Sequence, residues 1–230
     1  MNISTNLIFD PKVESKDICN QIISEGTRIL KQSRKIDKFE ISLREVFGLC
    51  LLATYRDFLE PDKKWAFTTE PKISDDGAVV HLEDKKIQYC ELVEQVYLPG
   101  PYLKRKGDHS MNDHILDQVL SKKNKGAEYL KDTSLFILND IQSENNQDYF
   151  EWQDFAKCFF ERLPFLHLYF VGLTDHKQDH NSYYLFSFTN QVHRQHLNGE
   201  FAFQINSHGI NDFKCTQLIN LLDPKSGNSS

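Results

Sequence analysis

A chain of 230 residues, 40% hydrophobic and 12% aromatic, carries enough apolar material for one globular domain with a full core. Its net charge of -6 excludes a surface that is basic throughout, and no apolar run approaches the ~20 residues needed to span a bilayer. The N-terminus lacks the charged-then-apolar pattern of a secretory leader, and the five cysteines are far apart and mostly set in apolar patterns, which predicts a cytoplasmic protein with reduced thiols.

After a short extended start, apolar positions recur at helical spacing over residues 13 to 33, with Ile18, Ile22, Ile29 and Leu30 among them. A second helix is expected over 39 to 59, where Leu43, Val46, Phe47, Cys50, Leu51 and Tyr55 form a broad apolar face that should pack under a sheet. Pro61 ends it, and Trp65 to Pro71 leads as a loop or short edge strand into the most informative stretch of the chain. There Asp75-Asp76-Gly-Ala-Val-Val-His-Leu and Ile87-Gln-Tyr-Cys-Glu91-Leu-Val-Glu94-Gln95-Val flank the polar turn Glu83-Asp84-Lys85-Lys86, the pattern of a β-hairpin. Closure that sets Leu82 opposite Ile87 also sets Asp76 opposite Val93, so Asp76, Glu91, Val93 and Gln95 share a face. Asp75 and Glu94 fall on the other face, and a one-residue slip would change these partners. Clustered carboxylates repel unless a cation neutralises them, and oxygen ligands suit a hard metal such as Mg²⁺.

Beyond the hairpin, Leu98 to Asp108 breaks regular structure and makes a basic loop with Lys104, Arg105 and Lys106. Residues 99 to 131 hold seven basic and four acidic side chains, a local charge of +3, whereas 139 to 154 hold only acids; one face could meet phosphates while the rest stays acidic. A third helix is expected from about Met111 to Tyr129, then the apolar strand Ser134 to Leu138, which a right-handed crossover would place parallel to the carboxylate strand. An aromatic amphipathic helix over 150 to 162 carries Trp152, Phe155, Phe159 and Phe160 and reads as core rather than a base-stacking platform. Strands at Phe165 to Gly172, Tyr183 to Phe188 and Phe201 to Ile205, then a helix near Phe213 to Leu222, complete one α/β domain over 1 to 222 with a mixed central sheet and helices on both sides. The tail from 223 to 230 is expected to be disordered.

The order helix, acid-bearing hairpin, helix with lysines, apolar strand, helix, strand resembles the PD-(D/E)xK, or restriction-endonuclease-like, nuclease superfamily over roughly residues 40 to 172. The resemblance implies that an Asp beginning one strand and an acid on the next bind Mg²⁺ or Mn²⁺, here Asp76 and Glu91, and that the substrate is DNA. The lysine that the family places two residues on would fall at Val93. Lys122 and Lys125, on the helical series Gln118, Lys122, Lys125, Tyr129, are the expected substitutes, with Gln95 a second candidate and Glu45 a further carboxylate. Lys104, Arg105, Lys106, Lys122 and Lys123 would hold flanking phosphates. A metal suits this chemistry because it lowers the pKa of water and screens the charge on a phosphodiester, which a nearby cation screens further. Two-strand cleavage would ask for a homodimer. Loss of the in-strand lysine leaves a second expectation, a non-catalytic scaffold on the same fold that binds nucleic acid or protein.

His176 with His180 and His193 with His196 have zinc-compatible spacings but fall in predicted loops. There is no Gly-x-Ser-x-Gly elbow, P-loop or Gly-x-Gly-x-x-Gly, so serine hydrolase, nucleoside-triphosphatase and dinucleotide readings have no foothold.

Overall fold

The computed structural model describes residues 7–25, 30, 39, 41–70, 76–98, 117, 127–143, 155–174, 182–190 and 199–216. Nine strands form one mixed sheet in simple sequence order: β1 (Ile8–Phe9), β2 (Lys64–Thr68), β3 (Ala78–Glu83), β4 (Lys86–Leu98), β5 (Thr133–Ser143), β6 (His167–Thr174), β7 (Ser182–Thr189), β8 (Gly199–Asn206) and β9 (Gly209–Thr216). β1 to β4 are antiparallel, β4, β5 and β6 run parallel, and β6 to β9 are antiparallel again. The expected crossover into a strand parallel to β4 is therefore present. So are helices on both faces of the sheet, with α1 (Pro11–Glu25) and α2 (Leu43–Leu59) on one and residues 155–162 on the other. No described helix is long and apolar enough to cross a membrane.

α2 starts on a capping box in which the Ser42 hydroxyl accepts the Glu45 N–H and the Glu45 carboxylate accepts the Ser42 N–H. From there Val46, Leu49, Cys50, Ala53 and Tyr55 carry the helix into the core at 0% exposure. Its core extends from Phe9 and Phe67 at one end of the sheet to Phe201, Phe203 and Ile205 at the other, so the sheet curls around the two helices. On the opposite face Val96, Leu135, Ile137 and Phe170 pack with Phe155 and Phe159, which makes that aromatic pair core, as its spacing suggested.

One expectation changes at the C-terminus. The C-terminal segment from Phe213 is not helical as far as it is described; Gly209–Thr216 is β9, returned on β8 by the turn at Ser207 and His208 with Gly209 at φ +121°. Of the third helix, only residue 117 and α3 (Ala127–Leu130) are described, both helical.

The hairpin forms with Leu82 opposite Ile87 and Glu83 opposite Lys86, and Asp84 and Lys85 both take positive φ, as a two-residue primed turn requires. A bulge between His81 and Leu82 then shifts the register. His81 pairs with Tyr89, Val79 with Glu91 and Ala78 with Leu92, so Gln88 is an extra residue on β4. The symmetric closure expected from the sequence therefore fails beyond Leu82, and the line through Asp76 meets Glu94 instead of Val93.

Candidate functional site

Glu91, Val93, Gln95 and Tyr97 alternate onto the face of β4 that α2 covers, with Val93 and Tyr97 packed into the core there. α2 runs antiparallel to β4, its first turn beside Gln95 and Tyr97 and its last turn beside Glu91. The polar residues along β4 thereby divide into two groups.

The first group lies where β4 outruns β3. With β3 beginning at Ala78, the backbone of β4 from Gln95 onward has no strand beside it on that side among the described residues, and Asp76 takes the place of one: its Oδ2 accepts the Gln95 N–H at 2.8 Å. The Gln95 side-chain amide donates to the Glu45 carbonyl at 2.9 Å and to the Asp76 carbonyl at 3.3 Å, clamping the Asp76 turn against the first turn of α2. Gly48 and Gly77 make the approach possible. A Cβ on Gly48 would meet Gln95 Oε1, and Gly77 holds φ +98° where a Cβ would meet Leu49 and the Thr68 carbonyl. Next along, the Arg44 guanidinium sits over the Tyr97 ring, 5.5 Å from its centroid. These residues surround the carboxyl-terminal half of β4, toward the strand ends at which open α/β sheets bind their ligands.

The second group is the expected ligand Glu91 and what holds it. Glu91 is 1% exposed; its Oε2 accepts from Arg56 Nη2, and its Oε1 accepts from the Ser134 hydroxyl at 2.6 Å and the Tyr169 hydroxyl at 3.1 Å. Burial alone would raise its pKa. The Arg56 guanidinium, the nearby His167 and the hydrogen bonds from Ser134 and Arg56 outweigh that and bring it down to about 2. Arg56 is itself buried and also donates to Tyr169 at 3.2 Å. Both carboxylate oxygens are engaged, so Glu91 is neutralised by the protein and its chemistry does not fit a metal ligand. It also stands four residues from Gln95 along the strand, about 13 Å, so the structure does not bring Asp76 and Glu91 together.

Glu94 points to the other face, fully buried, where it accepts from the Tyr129 hydroxyl at 2.7 Å. Asp75, Lys104, Arg105, Lys106, Gln118, Lys122, Lys123, Lys125 and the four loop histidines 176, 180, 193 and 196 lie outside the described residues. Among the described residues no group of three or more His, Cys, Asp or Glu side chains could hold a metal ion. The carboxylate at the Gln95 clamp is that of Asp76, since Glu45 meets the clamp through its backbone carbonyl and turns its own carboxylate to the Ser42 N–H; a single protein carboxylate fits Mg²⁺, which completes its shell with water and substrate oxygens. An open cavity of about 380 Å³ lies elsewhere, at the far end of α2, lined by Asp10, Lys12, Asp57, Lys63, Lys64 and Trp65. Two of its lining carboxylates are engaged: Lys12 pairs with Asp57 at 3.4 Å, Asp57 accepts the Trp65 N–H, and Asp10 accepts the Lys12 N–H.

Sequence reasoning missed Arg56, Arg44, Ser134 and Tyr169. Arg56 was detectable in principle, since it follows Leu49 and Leu52 at spacings of seven and four on the apolar stripe of α2, where a solvated arginine would not stand. No protein-family model matches the chain, and no curated protein matches it.

Proposed function

We propose that the chain is a restriction-endonuclease-like domain that hydrolyses DNA phosphodiesters with Mg²⁺, and that Asp76 holds the metal in place of the expected pair Asp76 and Glu91. One observation carries this reading: Asp76 is held at the carboxyl-terminal half of β4, against the first turn of α2, by the backbone and side-chain N–H groups of Gln95. The order of α2, the β3–β4 hairpin and a strand, β5, parallel to β4 agrees with part of the order on which the nuclease resemblance rests, and supports the reading. Mg²⁺ bound there would lower the pKa of a water and screen the charge on the scissile phosphate. The protein's own part is positional. Gln95 fixes the Asp76 turn, and Asp76 Oδ2 is committed to the strand. Lys122 and Lys125 remain the proposed assisting cations, and Lys104, Arg105, Lys106 and Lys123 the proposed phosphate contacts.

A second reading, a non-catalytic protein on the same fold that binds nucleic acid or a protein partner, draws on the engagement of Glu91 and on Val93 at the lysine position. A plasmid-nicking assay with Mg²⁺ or Mn²⁺ against EDTA, on wild type, Asp76→Asn and Glu91→Gln, separates them. Asparagine keeps an acceptor for the Gln95 N–H and removes the charge. The nuclease reading expects metal-dependent nicking that Asp76→Asn abolishes and that Glu91→Gln keeps per folded molecule. No nicking by wild type on supercoiled, single-stranded or RNA substrates selects the second reading.

A further inference from the structure

We draw no further inference here: the strongest candidate, the buried cluster of Arg56, Glu91, Ser134 and Tyr169 where the last turn of α2 meets the amino ends of β5 and β6, carries nothing, because its members are each 8% exposed or less and are bound to one another, and nothing among the described residues shows a ligand that reaches them.

Discussion

Glu91 and Arg56 are each tolerable in the core only because of the other. Removing the carboxylate leaves a buried guanidinium with Ser134 and Tyr169 also stripped of an acceptor, so Glu91→Ala should lose about 3–5 kcal/mol of stability in urea unfolding. Replacing both partners, Arg56→Met with Glu91→Leu, removes the charges together and should cost less than either single change. The pH dependence has a definite sign. The folded pKa of Glu91, about 2, lies below its ordinary value of 4.5, so the ion pair's contribution is complete above about pH 4.5 and is lost as pH falls toward 2. That window is worth about 3 kcal/mol. Urea midpoints measured from pH 5 down to pH 2.5 should fall steeply for wild type and more gently for Glu91→Gln; parallel curves would show that other carboxylates set the acid limb.

Two glycines let α2 and the hairpin approach. In a helix interior Gly48→Ala should gain about 1 kcal/mol of propensity, but its Cβ would enter the space of Gln95 Oε1 and push the amide off the Glu45 and Asp76 carbonyls. We expect a net loss of about 1–3 kcal/mol, measured by thermal unfolding, with the Asp76 turn released. Gly77→Ala should be worse, because φ +98° is strained for alanine and the Cβ would lie 2.8 Å from the Thr68 carbonyl oxygen. The same elements show why the hairpin was legible and its register was not. Alternation of apolar residues and the polar Asp84-Lys85 turn fix the two strands and their closure at Leu82 and Ile87. The bulge at Gln88 has no glycine to announce it, and one extra residue moves Asp76 from the line of Val93 to that of Glu94. Gln95 was legible as a site residue because it lies on the α2 face, though as the clamp on Asp76. β9 escapes the sequence because Leu218, Leu221 and Leu222 just beyond it recur at helical spacing, while Gly209 after Asn206-Ser-His is a turn signal of equal strength.

At the scale of the whole molecule, the sequence order of the strands hides how closely the ends meet. α1 touches β2 on one side and β8 and β9 on the other, and Gly209 packs so near Ser15 that a Cβ there would lie 2.5 Å from its hydroxyl. Phe201 meets Tyr55 edge-on at 4.7 Å, and Phe9 meets Phe67 at 5.5 Å, within the same core. A sheet curled around two helices in this way has no half that buries its apolar face alone. Neither the β1–β4 region that holds Asp76 nor the β6–β9 region should therefore fold separately. With Trp152→Phe, fluorescence reports Trp65 in β2, at the Asp76 end of the sheet, while far-ultraviolet circular dichroism reports the whole. We expect the two urea transitions to coincide, and Gly209→Ala, at the opposite end, to shift both midpoints together. A Trp65 transition that stays in place while circular dichroism moves would mean that the ends unfold independently, and that the Asp76 site depends only on α2 and its hairpin.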